Sequence, residues 1–169
     1  QFPIYEDEYK RWDKTIQDLS KKYDVPAELI HSMMAQESEY GRSKKAGNNV
    51  LQMTKPAYAE INDEYARKKY GWTDSPQNSL QLQTPEQGAE AGVRYLVVMR
   101  DRYGVDLNNA YKAGRRFNGS KMRDSYGRNI ENMVSQFGDY RQANAAPPSA
   151  VVVQEPVPGM VGPMNRPPA

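Results

Sequence analysis

With 169 residues, 38% hydrophobic and 26% charged, the chain is long enough for one well-formed core and suits a soluble globular domain. No run approaches the roughly eighteen apolar residues a membrane span needs, and a formal charge of +2, from 23 basic against 21 acidic residues, is too balanced to make nucleic acid the main partner. The lack of cysteine and the single histidine, His31, exclude disulfides and thiolate chemistry and leave little for a histidine metal site or a Ser-His-Asp triad, so any catalysis falls to carboxylates, hydroxyls, amides and lysine.

A chain that starts at Gln1 without methionine reads as a processed product or a piece of something longer, with secretion as the expectation although no signal peptide is visible. Residues 5–22 place Tyr9, Trp12, Ile16 and Leu19 at spacings of three and four, the stripe of an amphipathic helix. A second helix is expected from Pro26, whose fixed φ suits a first turn, to about Glu39. The acids at 60, 63 and 64 lie along AEINDEYA, which reads as a solvated helix face. Thr84-Pro-Glu-Gln87 combines a hydroxyl N-cap, proline at the first helical position and a glutamine placed to complete a capping box. The helix it opens sets Ala89, Val93, Leu96, Met99 and Tyr103 on one side and should stop at Gly104. Asp106 is placed to cap a further short helix, and a last helix carries Tyr126, Ile130, Met133, Val134 and Phe137 on one face. Strand alternation is missing almost everywhere, so residues 1–142 are expected to form an all-α or nearly all-α domain. Residues 143–169 hold seven of the twelve prolines and almost no charge, which predicts a flexible or extended tail that links or docks the domain to a larger assembly.

Within the second helix, HSMMAQESEYG (residues 31–41) sets an acid directly after an apolar run. At about 100° per residue, Glu37 falls within roughly 20° of Ile30 on the core-facing stripe, whereas Glu39 falls on the opposite side. A carboxyl held against apolar neighbours loses solvation of its charged form and its pKa rises, which makes it a proton donor near neutral pH. The competing reading is a helix-end glutamate that frays into solvent or pairs with Arg42 or Arg94.

The run YDVPAELIHSMMAQESEYGRS, residues 23–43, resembles the first motif of the soluble lytic transglycosylases, relatives of goose-type lysozyme, in which a glutamate followed by serine closes the helix. Glu37 and Ser38 match those two positions. Asn49-Val50-Leu51-Gln52 is similar to the family's Gly-Leu-Met-Gln, with Asn49 for glycine; asparagine is the side chain that best tolerates the left-handed backbone a glycine would take. Arg116-Phe117-Asn118-Gly119-Ser120 resembles the third motif with Phe117 for a tyrosine, and Ala110-Tyr-Lys-Ala-Gly114 offers an alternative register. Tyr126-Gly-Arg-Asn-Ile130 resembles the start of the closing helix.

The resemblance implies a lysozyme-like domain that cleaves the β-1,4 bond between N-acetylmuramic acid and N-acetylglucosamine in peptidoglycan, with Glu37 as acid and then base and a 1,6-anhydro end as product. Ser38, Gln52, Asn118 and Tyr126 would touch or frame the glycan strand, and neither metal nor organic cofactor is needed. The expected setting is periplasmic, extracytoplasmic or on a virion, with glycan strands and a phage or secretion assembly as partners. A muramidase that uses water, a non-catalytic wall-binding or virion module on the same scaffold, and a helical adaptor unrelated to glycans are the alternatives.

Overall fold

The computed structural model describes residues 5–145; the proline-rich segment from 146 onward lies outside the described residues. Seven α-helices and no strand occur among them: α1 (Glu6–Tyr23), α2 (Ala27–Ser38), α3 (Lys55–Asn62), α4 (Glu64–Tyr70), α5 (Pro85–Tyr103), α6 (Ala110–Asn118) and α7 (Arg123–Asn144). The domain is all-α, as the missing strand alternation predicts, and none of these helices is long and apolar enough to cross a membrane.

In α1 the expected stripe is buried, with Tyr9, Trp12, Ile16, Leu19 and Tyr23 facing inward. The helix ends at Asp24, left-handed at φ 53°, whose N–H donates to the Ser20 carbonyl, a cap that satisfies one otherwise orphaned acceptor. The central element is α5, ten of whose residues are buried. Thr84 accepts from the Gln87 N–H at 3.2 Å, but the Gln87 side chain reaches back to the N–H of Gln83, not of Thr84, so the expected capping box closes one residue early. Gly104, at φ 70°, ends the helix as predicted. Tyr103 departs from the expected inner face and is 42% exposed.

Two boundaries differ from the sequence expectation. AEINDEYA is not one helix face: Asp63 breaks it, ending α3 and capping α4 through a 3.0 Å bond from the Ala66 N–H. Asp106 does not start α6; its carboxylate accepts from the Asn108 N–H within a turn, and Asn109 is the N-cap, accepting from the Lys112 N–H at 3.0 Å. Both follow from the readiness of short acids and amides to bond nearby backbone N–H groups.

The main core joins α1, α2, α5 and α7, while Met53, Ala57, Tyr58, Ile61, Ala91 and Val98 form a smaller cluster where α3 meets α5. Tyr95 packs against both. Helices α6 and α7 meet almost backbone to backbone: a Cβ on Gly114 would stand 2.9 Å from the Ile130 Cβ, and one on Gly127 would stand 2.8 Å from the Tyr111 carbonyl oxygen.

Candidate active site

All seven residues from Leu29 to Ala35 are buried, so α2 is enclosed on every side and not along a single stripe. Glu37 is half-buried near its end. Glu39 is exposed, as expected, for a different reason: it has left the helix, in the left-handed conformation at φ 50°. Tyr40 (φ 58°) and Gly41 (φ 84°) continue that turn. Left-handed backbone is costly for a bulky side chain, and Tyr40 is fixed there by burial and by a 2.8 Å hydrogen bond between its hydroxyl and His31 Nδ1. His31 Nε2 faces Asp13 at 2.9 Å, and the ring stacks on Tyr9 at 3.9 Å. Burial pushes the imidazole pKa down to about 4 against the opposing pull of Asp13, so His31 is neutral at pH 7, with Nε2–H donating to Asp13 and Nδ1 accepting from Tyr40.

Ser38 is 1% exposed. Its hydroxyl donates to the Met34 carbonyl at 3.2 Å and accepts from the Gly41 N–H at 2.9 Å. It therefore holds the turn that follows Glu37 and presents no open face to a sugar.

The carboxyl of Glu37 meets Tyr126 of α7. Burial raises the Glu37 pKa, and the Tyr126 hydroxyl pulls it part of the way back. Tyr126 is itself buried, and its hydroxyl has no hydrogen-bond partner within 3.5 Å. Desolvation first, and then the Glu37 carboxylate, hold the Tyr126 pKa far above the ordinary phenol range. The two groups thus influence one another while stopping short of a fully formed hydrogen bond. Phe117 lies parallel to Tyr126 at 6.4 Å, and Tyr95 meets Phe117 edge-on at 5.8 Å. An aromatic row therefore leads from the acid to the smaller core.

Gln52 stands on the loop between α2 and α3, exposed and left-handed at φ 46°. Asn49, expected to take the glycine-like backbone, does not; its side chain is the hub of the loop instead. Asn49 Oδ1 accepts from the Met53 N–H at 3.0 Å and the Tyr58 hydroxyl at 2.8 Å, while Nδ2 donates to the Met53 carbonyl at 3.0 Å. The loop is pressed onto α5: a Cβ on Gly88 would lie 1.8 Å from the Asn48 carbonyl oxygen, and one on Gly92 would lie 2.0 Å from Leu51 Cδ1. No side chain fits there, and Gln52 is displayed from a fixed base.

Asn118 ends α6 and its carboxamide oxygen accepts from the N–H and hydroxyl of Ser120, so it shapes the turn in which Gly119 is left-handed at φ 52°. Gly114, in the alternative register of the third motif, is the glycine at the α6–α7 crossing. The structure thus brings Glu37 and Tyr126 together, sets Gln52 on a separate braced loop, and gives Ser38 and Asn118 to turns. Sequence reasoning missed the Asn49 hub and the pressed glycines Gly88 and Gly92. Gly-x-x-x-Gly within an otherwise regular helix was the visible signal of a close approach.

Surface hollows of 220 to 640 Å³ among the described residues include five lined by residues other than Glu37, Gln52 and Tyr126. No group of three or more histidines or acids fit to hold a metal occurs among the described residues. No family model, no curated protein and no solved structure matches this chain.

Proposed function

We propose that the chain cleaves peptidoglycan glycan strands as a lytic transglycosylase, with Glu37 as its single proton-transfer group. The observation that carries this reading is the half-buried carboxyl at the end of an enclosed helix, raised in pKa by burial and facing a buried, unpartnered tyrosine hydroxyl. A carboxyl whose proton is held more tightly because of burial can give it to the glycosidic oxygen as the bond to the muramic acid C1 breaks. The resulting carboxylate then takes the proton from the 6-hydroxyl of the same sugar as that oxygen closes on C1. The products are a free 4-hydroxyl on N-acetylglucosamine and a 1,6-anhydro end, with no water consumed. The Tyr126 hydroxyl, lacking a partner at rest, is free to donate to Glu37 once it is ionised. Gln52 offers an exposed carboxamide for the acetamido groups of the strand, and Ser38 and Asn118 contribute by fixing the turns around them. The expected setting is extracytoplasmic or virion-associated.

Digestion of purified peptidoglycan followed by mass spectrometry tests this. Anhydro ends from the native chain, and none from Glu37→Gln, are the expected result; reducing ends would replace this reading with a muramidase that uses water.

A second reading, a non-catalytic glycan-binding module on the same scaffold, is favoured by one observation: Phe117, where the resemblance expects a tyrosine hydroxyl, lies beside Tyr126. It predicts retention of the native chain on insoluble peptidoglycan with no soluble product at any pH.

A further inference from the structure

Six basic side chains crowd the passage from α6 into α7. Lys112, Arg115, Arg116, Lys121, Arg123 and Arg128 are all exposed. Residues 111–128 contain only one acid, Asp124, so this stretch carries six positive charges against one negative, a net +5, where the entire chain carries +2. Of the six, only Arg115 forms an ion pair among the described residues, with Asp124 at 2.6 Å. Arg116 instead lies over the Tyr103 ring at 4.9 Å.

The arrangement is concave. Lys112, Arg115, Arg116 and Arg123 line a hollow of about 540 Å³, together with Tyr111, Gly119 and one acid, Asp124. The first three sit at i, i+3 and i+4 on one face of α6. The backbone contact of α6 with α7, made possible by Gly114 and Gly127, holds Arg123 against them at a fixed spacing. Of these cations Asp124 answers only Arg115, and Lys112, Arg116 and Arg123, set together with no counter-ion of their own, repel one another, a cost that an anionic partner removes. Three of the four lining cations are arginines, whose planar fork matches phosphate oxygens.

We propose that this hollow binds a linear phosphodiester polyanion along its backbone. A polymer is favoured over a bilayer because the cations line a cavity and do not ring a flat apolar surface; Met122, 66% exposed, is the one large exposed hydrophobe of the passage. The hollow shares no lining residue with Glu37 or Tyr126, and the inference does not rest on catalysis.

The test is fluorescence anisotropy of a labelled abasic oligonucleotide, a phosphodiester chain without bases, titrated with the full chain. Binding should weaken with salt along a log–log slope of about −2, as three phosphates neutralised by Lys112, Arg116 and Arg123 require. The triple variant Lys112→Gln/Arg116→Gln/Arg123→Gln, which spares the Arg115–Asp124 pair, should lose at least about tenfold in affinity at low salt and flatten the slope toward zero. Lys112→Gln alone, a change at one exposed side chain, should lower affinity and slope in the same sense should the triple variant fold poorly. Glu37→Gln should bind as the native chain does. No binding at low salt, native affinity in the triple variant, tighter binding to anionic lipid vesicles, or a strong preference for a base-bearing strand of equal length would each overturn the proposal.

Discussion

Glu37 combines two effects that pull in opposite directions. Burial raises its pKa, so the folded chain holds that proton more tightly than the unfolded chain does. The stability tied to this group is fully present below the usual carboxylate range and is lost as pH rises through the raised folded value. Glu37→Gln keeps the shape without the charge, so it should be the more stable protein at neutral pH, with the gap closing toward pH 4. Thermal unfolding of both proteins across that range reads the effect directly, and a variant less stable at every pH would refute it. Tyr126→Phe removes a buried hydroxyl that has no partner, and burying such a group costs about 1–3 kcal/mol. The change should therefore leave stability level or raise it by about 1 kcal/mol in denaturant titrations. Because the hydroxyl pulls the Glu37 pKa down, its loss should also move the alkaline limb of the pH–activity profile upward while cleavage slows. The sequence expectation buried Glu37 by its phase with Ile30 on one stripe, whereas α2 is enclosed on every side from Leu29 to Ala35, so phase alone does not account for its half-burial. The double left-handed turn at Glu39 and Tyr40 was not legible in the sequence, because nothing local marks a tyrosine for that conformation; the reason is His31, nine residues earlier in the chain.

Among the helices, the best-read boundaries were those with a local chemical cause: the Thr84 cap and Gly104 stop of α5, and the stripe of α1. The misread ones offered two plausible cappers close together, and only the tertiary path chose Asn109 over Asp106 and split the run at Asp63. Long-range fit is similarly invisible from sequence. Gly88 and Gly119 look alike as letters, yet the first is pinned against the Asn48 carbonyl, while a Cβ added to the second would meet nothing within 4 Å beyond its chain neighbours. Gly88→Ala should cost at least about 2–3 kcal/mol, since backbone must yield. Gly119→Ala should cost about 1–2 kcal/mol, from left-handed strain alone. Chemical denaturation measures both, and faster amide exchange over residues 48–53 in Gly88→Ala would locate the damage in the loop that carries Gln52.

At the scale of the whole molecule, three helices are fastened by one polar cluster. Arg141 of α7 bonds to Asp13 of α1 and Glu28 of α2, and Asp13 also meets His31. His31 is kept neutral by burial with a pKa near 4, whereas in the unfolded chain it takes a proton near pH 6.5. Unfolded chains therefore bind the proton first, and stability present above pH 6.5 should drain away as pH falls from there toward 4. Thermal melts should record that decline, and His31→Gln should flatten it even if it lowers the plateau.

The enclosure of α5 carries one more consequence. With ten of its residues buried and α1, α3 and α6 packed against it, its middle turns should reach water only when the domain opens as a whole. Deuterium should enter the amides from Val93 to Met99 only when the entire domain comes apart, so their uptake rate is a direct gauge of the free energy that separates the native chain from the unfolded one.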